Sequence, residues 1–402
     1  MFNVVIIGGG VAGLSAAIKA KNKNNKVTIL EKNSNCLKKL LLTGNGHCNY
    51  FNEDFTYKHY NSSNLDLVKE IINDENKNKL INFYNQIGII PKIKNGYYYP
   101  QSNQAYSFYN ALMKEAIELG VEFVNDTNVL KVTKNGRFEV ETDKGIIEAD
   151  KLIIATGSKA YPKTGSTGDG YLIAQNFNHT LSKVYPALVQ VLCQDKYLKE
   201  LDGVRSDVKV TLLKDNGIVK EEKGEIQFKE TGLSGICIFN LSLWIDDFKN
   251  TDISVNLLDS LKINNQDEVL EFLDERSKKL INRNVSQILE QVLNYKIVNA
   301  LLKKINIDRD IKFADLSEDE KHELASILVN WKFKVDGTND YNNSQVCGGG
   351  IFLDEIDINT FESKLVKDLY FVGEILDITG ECGGYNISLA VLSGIKAGES
   401  ID

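Results

Sequence analysis

The stretch VVIIGGGVAGLSAAIKA, Val4 to Ala20, constrains this chain more than any other. Val4 to Ile7 is a β-branched run of strand character, and from Val11 to Lys21 the apolar residues fall at helical spacing. Between them stand Gly8, Gly10 and Gly13, in the spacing G-x-G-x-x-G. In that context each glycine has a task. The first allows a tight turn, the second lets backbone approach a pyrophosphate, and the third lets the helix pack on the strand. The anion then rests on the amides that open the helix near Ala12. A second strand from Lys26 ends at Glu31, where a carboxylate can accept hydrogen bonds from both ribose hydroxyls of an adenosine. The same carboxylate repels a 2′-phosphate, which disfavours NADP. NAD and FAD share this fingerprint, so the turn alone does not choose between them.

A chain of 402 residues is long enough for two or three domains. Helical spacing recurs at Leu65 to Ile90 and Ser107 to Leu119, and an apolar strand at Lys151 to Ala155 runs into the glycine-rich ATGSKAYPKTGSTGDGY. The character changes near Pro186. Residues 187–258 alternate in short apolar stretches such as VKVTLL and GEIQFKE, the pattern of a β-barrel or β-sandwich. Residues 259–335 read as charged amphipathic helices, and over 336–402 the glycine-rich style returns. The simplest organisation is a nucleotide-binding α/β domain made of 1–186 and 336–402, interrupted by a β segment and a helical segment.

Composition narrows the partners. Lys and Arg number 47 against 55 Asp and Glu, a net charge of -8, which argues against a nucleic-acid partner and supplies no polybasic membrane patch. The apolar start lacks a basic leader and is interrupted by glycines, so a cytoplasmic protein without a membrane association is the simplest reading. The 6 cysteines form no CxxC pair, so no disulfide framework and no metal site is expected. The 4 histidines lie far apart in sequence.

Motifs distributed along the chain carry a resemblance. They are Lys39-Leu40 leading to Thr43-Gly44-Asn45-Gly46-His47-Cys48-Asn49, then Ala155-Thr156-Gly157, then Gly224-Glu225 with Gly232-Leu233-Ser234-Gly235. Gly349-Gly350-Ile351, Thr360-Phe361-Glu362-Ser363-Lys364, and Gly373-Glu374 with Asp377 and Gly383-Gly384-Tyr385-Asn386 follow in order. Together they resemble the BaiN-like, aminoacetone-oxidase-type family of FAD-dependent flavoproteins. The resemblance implies a Rossmann-like FAD-binding domain with an inserted β-barrel plus helical domain, and an oxidoreductase working through noncovalent FAD on a small-molecule substrate or electron donor. A flavin amine oxidase releasing hydrogen peroxide and a nonenzymatic FAD-binding redox sensor are the alternatives. Cofactor contact is implied for Gly8, Gly10, Val11, Ala12, Gly13, Glu31 and Lys32 at one end, and for the motif residues at 39, 40, 43–46, 48, 49, 155–157, 373, 374, 377 and 383–386. Two positions depart from the family pattern, His47 where Arg is usual and Cys347 where Thr or Ser is usual.

The residues also carry physical reasons of their own. Gly44 and Gly46 let amides approach a phosphate or a flavin ring, with Asn45 and Asn49 offering polar groups. Glu374 follows the strand LYFVG, positioned to bind ribityl hydroxyls. Gly383 and Gly384 precede a helix whose dipole favours negative charge on a reduced flavin. Cys48 and Cys382 lie in these segments, yet a lone cysteine without a resolving partner is packing more often than chemistry. Tyr97, Tyr98 and Tyr99 are an aromatic run able to wall a pocket, although such a run serves core or surface packing more often. No acid–base constellation stands out, so the catalytic residues, the substrate and the oligomeric state are not read from the sequence. No second GxGxxG marks a separate NAD(P)H domain, so direct reduction by NADH or NADPH is expected to be slow.

Overall fold

The strand Asn3–Ile7 lies at the centre of a five-stranded sheet, and Val4, Val5 and Ile6 are fully buried. A parallel strand covered on both faces needs an unbroken apolar run rather than alternation, which is what VVII supplies. The order across the sheet is Leu369–Phe371, Lys151–Ile154, Asn3–Ile7, Lys26–Leu30, Glu122–Val124, all parallel. Helix Val11–Lys21 is the crossover from the first strand to its neighbour on one side. The chain later returns to the other side of the first strand as Lys151–Ile154. Strand order therefore reverses between these two, and Gly8 and Ala155 follow directly at their carboxyl ends. That is the place where open α/β sheets bind ligands.

The computed structural model describes residues 1–21 and 24–401, so Asp402, the end of the last expected segment, lies outside the described residues. The chain divides into two units, 1–187 with 341–402, and 188–340. In the first unit the C-terminal helix Tyr385–Ser400 packs on helix Val11–Lys21 with almost no spacing. A Cβ at Gly394 would stand 2.4 Å from Ala12 O, and one at Gly398 would stand 2.4 Å from Ala16 O. Two glycines four apart present one bare face, so the helices meet backbone to backbone. A three-stranded antiparallel sheet spans Val129–Asn135, Arg137–Thr142 and Gly145–Ala149. A second small sheet joins Phe51–Asn52, Tyr97–Pro100 and Pro91–Lys94.

The second unit contains a closed six-stranded barrel. Its order is Val191–Cys193, Gly232–Ser234, Gly217–Lys229, Arg205–Lys214, Thr251–Asn256 and Trp331–Thr338, which pairs back with the first. Trp331 and Phe333, two apart on the closing strand, stack at 5.1 Å inside, against Phe228. The helices Gln266–Lys279, Tyr295–Lys304 and Glu318–Val329 come before that closing strand, so barrel and helices are interleaved in sequence. The last helix starts at a capping box, with Ser317 and Glu320 each satisfying the other's amide. Among the described residues no helix is long and apolar enough to cross a membrane, and no cluster of three metal-ligating side chains occurs.

Candidate functional site

The glycine turn is held by backbone contact. Gly8 has φ +107, and a Cβ there would meet Ala155 O at 2.4 Å. A Cβ at Gly13 would meet Gly8 O at 2.1 Å, whereas at Gly10 nothing lies within 4 Å. The first and third glycines are thus closed in by protein, and the second faces open space. Leu14 N donates to Gly10 O at 3.0 Å, so the amides of Val11, Ala12 and Gly13 precede the first intrahelical bond.

Glu31 is 8% exposed and bridges strand to turn. Its Oε2 accepts from Gly9 N at 2.8 Å, and its Oε1 accepts from Asn33 N at 2.8 Å and Asn33 Nδ2 at 2.7 Å. Beside it Cys36 is buried, and burial together with the Glu31 charge pushes its thiol up to about 12, so it stays protonated. Lys32 is drawn away to Asp169 and Thr167, at 2.6 Å each. This ties the glycine-rich loop after Ala155-Thr156-Gly157 back over the second strand. A Cβ at Gly165 would meet Asn33 Nδ2 at 2.4 Å, so that loop has to come in bare.

Residues distant in sequence converge beside the start of the first helix. Lys39 Nζ pairs with Glu374 Oε2 at 2.7 Å, and Ser158 Oγ donates to the same oxygen at 3.1 Å. Gly373, at φ +78, donates to Ser393 Oγ at 2.9 Å, and a Cβ there would stand 2.9 Å from Ala12 Cβ. In the same region the Thr156 and Tyr171 hydroxyls are buried without a protein partner. A buried hydroxyl left unpaired costs on the order of 1 to 3 kcal/mol, so two of them call for a partner from outside the chain.

The segment from Leu40 to Gly46 is a distorted 3-10 turn in which Thr43 is extended and Gly44 and Asn45 are left-handed, at φ +54 and +53. Gly44 and Asn45 are exposed at its tip. His47 Nδ1 lies 2.8 Å from Asn103 O, the contact made where the family pattern has Arg. Cys48 is fully buried, and its thiol is pushed up to about 12 by that burial. A thiol so strongly protonated is no nucleophile at neutral pH. Asn49 turns inward and donates to Phe51 O and Tyr98 O, each at 3.1 Å.

The C-terminal motif makes a second centre. Gly384 caps the last helix at φ +93, where a Cβ would stand 2.6 Å from Phe51 N. Asn386 closes the preceding turn by accepting from Gly380 N at 2.8 Å and donating to Gly380 O at 2.7 Å. Asp377 is buried and accepts from Ser63 N at 3.1 Å and from the Ser63 hydroxyl. A Cβ at Gly383 would stand 3.1 Å from the Tyr97 ring. Tyr385 stacks on His59 at 4.6 Å and 16°. His59 is held on both sides, Nδ1 by Glu381 at 2.8 Å and Nε2 by Asp54 at 2.9 Å. Spacing could not find this cluster, because Asp54 and His59 lie far from Glu381 in the chain and are brought to it beside the antiparallel pairing of Tyr60–Asn61 with Thr379–Gly380. His179, by contrast, is a packed core residue between Glu355 and Ser363.

A parallel sheet with a glycine turn at its switch point is the architecture of a Rossmann-type dinucleotide-binding domain. The chain belongs to the family described as HI0933-like protein Rossmann domain, matched over residues 2–400. It is 32% identical to the 3-dehydro-bile acid delta(4,6)-reductase of Clostridium scindens, over 100% of this chain and 99% of that one. It is 28% identical to a ribosomal RNA dihydrouridine synthase of Haemophilus influenzae, over 99% of this chain and 98% of that one. Among solved structures, the 3-ketosteroid-delta4-(5alpha)-dehydrogenase of Rhodococcus jostii RHA1 shares the fold, with a TM-score of 0.51 at 13% identity over 100% of this chain and 96% of that one. The protein is an FAD-dependent oxidoreductase. In a family that includes a relative named for ribosomal RNA, the net charge of -8 does not by itself exclude an RNA substrate.

Proposed function

We propose that the protein reduces a carbon–carbon double bond conjugated to a carbonyl group in a small organic substrate, with FAD held in the first unit. One observation carries the reaction type. The relatives aligned end to end with this chain differ in substrate size, but the names of both describe saturation of such a bond, in a 3-oxo dienone and in the uracil ring. The acidic net charge of -8 favours the smaller substrate, and a cytoplasmic location belongs to the same reading.

The donor set fits an extended dinucleotide. Gly10 leaves open space beside the helix amides of Val11, Ala12 and Gly13, where a pyrophosphate would rest. Glu31 would receive the adenosine ribose while keeping Gly9 N. Thr156 and Tyr171 have hydroxyls to offer, Glu374 oriented by Lys39 would meet the ribityl chain, and Gly383 to Tyr385 with the 43–49 loop would border the ring. Asp377, Asn386 and Asn49 would act through the backbone they fix, and Lys32 through the loop it holds. From Gly384 to Gly394 the C-terminal helix runs about 15 Å, joining the two ends of such a site. When bound, FAD supplies hydride chemistry. The chain's residues would bind it and orient it, and the start of the C-terminal helix would bring a positive helix end to its ring. The first unit, 1–187 with 341–402, would make this cofactor domain, and 188–340 form the insertion.

A Glu31→Ala variant should hold FAD on the order of ten- to a hundredfold more weakly, since a hydrogen bond to a charged group contributes about 1.5 to 3 kcal/mol. Equilibrium dialysis checks this, and an unchanged affinity would move the ribose contact elsewhere. Anaerobic reduction by NADH or NADPH should be slow, poorly saturable and indifferent to the 2′-phosphate. Rapid, saturable reduction with one nucleotide preferred would require a pyridine-nucleotide site that the sequence pattern does not provide. The reaction itself is tested by mass spectrometry of candidate acceptors after incubation with chemically reduced protein. A product heavier by two hydrogens is expected from a conjugated enone. Saturation of uridine in RNA alone would transfer the reading to nucleic acid. Hydrogen peroxide formed from an amine would favour an oxidase, and no turnover with any partner would favour a redox sensor.

A further inference from the structure

We infer that His59 is a positioning residue, holding the Gly380–Gly384 turn in the shape that presents the C-terminal helix to the cofactor, and that its protonation sets how firmly that turn is held. The inference rests on the cofactor reading above, which places the opening of that helix at the flavin ring.

The geometry is that of a clamp. The His59 backbone carbonyl accepts from Glu381 N at 2.8 Å, and its ring meets the Glu381 carboxylate at 2.8 Å through Nδ1 and the Asp54 carboxylate at 2.9 Å through Nε2. Its face lies against Tyr385, the first residue of the helix. One imidazole therefore touches both ends of the turn, Glu381 before the glycines and Tyr385 after them. Asn386 closes the same turn through Gly380, so ring and amide grip it from two sides.

Only the imidazolium can donate to both carboxylates at once, because the neutral ring carries a single N–H. The Glu381 side chain is 4% exposed and that of Asp54 is 61% exposed, so losing the proton harms the Glu381 contact more. The charged and titratable groups around the ring are Asp54 from the preceding loop, Glu381 from the turn and Tyr385, with Lys58 and Tyr60 adjacent in the chain and Tyr60 packed against Tyr385. Carboxylates dominate this set, and the hydrogen bond that the ring donates to Glu381 is the largest cause holding His59 above the usual histidine range, against the opposing effect of burial.

The sign follows from linkage. A histidine whose folded pKa is raised contributes stability that is complete below its unfolded value, about 6.5, and is lost as pH rises through the folded value. FAD affinity should follow the same course, falling on the order of tenfold as pH rises through the His59 titration.

The experiment measures the FAD dissociation constant by flavin fluorescence across the neutral range, together with the imidazole proton resonances of the apoprotein, where 4 histidines keep assignment simple. Wild type should lose affinity with the His59 titration. H59Q should be about tenfold weaker at low pH and flat through that range. E381Q should move the wild-type midpoint to lower pH, and D54N should move it less. Circular dichroism of each apoprotein confirms the fold, and if H59Q does not fold, the E381Q and D54N midpoints carry the test. A wild-type affinity that ignores the His59 titration, or an H59Q profile that matches wild type, overturns the positioning role and leaves the cofactor reading intact. Failure of wild type to bind FAD at any pH overturns the cofactor reading first.

Discussion

Gly10→Ala and Gly13→Ala should fail in different ways, although both remove a glycine from the same turn. At Gly13 the new methyl would stand 2.1 Å from Gly8 O, a backbone atom that cannot yield without moving the turn. Alanine in a helix normally gains about 1 kcal/mol over glycine. Here that gain is outweighed by a clash of the kind that costs about 1 to 3 kcal/mol or more. The apoprotein should melt lower, and FAD binding should be lost. At Gly10 nothing lies within 4 Å of the added methyl, so the apoprotein should melt as wild type does. The methyl would instead fill the space assigned to the pyrophosphate, and FAD affinity should fall at least a hundredfold, about 2.7 kcal/mol. Thermal melts and FAD titrations of the two variants give four numbers. A Gly10→Ala protein that binds FAD normally would show that the open side of the turn is not the phosphate site.

Gly394→Val should strongly destabilise the first unit. The side chain would enter where the Cβ alone is already 2.4 Å from Ala12 O and 2.9 Å from Ser15 Cβ. Relief requires the two helices to separate, opening a contact lined by Ala16, Val391 and Ile395, all fully buried. Overpacking of this kind costs about 3 kcal/mol or more, which outweighs the few tenths that valine gains over glycine in a helix interior. The urea midpoint of the first unit should fall with little change in slope. FAD retention should fall too, because Ala12 belongs to both the helix contact and the proposed phosphate site. A variant with an unchanged midpoint would mean that the helices are less closely pressed than this geometry requires.

What the sequence disclosed was local. Gly8 to Gly13 and Glu31 could be read because strand, turn, helix and strand follow one another within a single crossover, and each glycine's role is fixed by its immediate neighbours. The Lys39–Glu374 pair was legible only as two motif members, and nothing in their spacing announced that they touch. Lys32 turning to Asp169, Asp377 turning to Ser63, and His59 between Asp54 and Glu381 all depend on pairings between distant segments. Barrel closure was hidden for the same reason. Trp331–Thr338 alternates as a strand should, but it follows the helices and meets Val191–Cys193 only in three dimensions.

Reduction of carbonyl-conjugated double bonds is tested most directly by a single turnover without oxygen. Protein carrying its FAD is photoreduced and mixed with a conjugated enone, with an isolated alkene of similar size, and with uridine-containing RNA, while flavin absorbance is followed. Reoxidation by the enone should be far faster than for free reduced FAD, should saturate with concentration, and should disappear in Gly10→Ala, with the isolated alkene inert. Equal rates for enone and isolated alkene, or an enone rate no faster than that of free FAD, would contradict the proposal that this protein reduces carbonyl-conjugated double bonds.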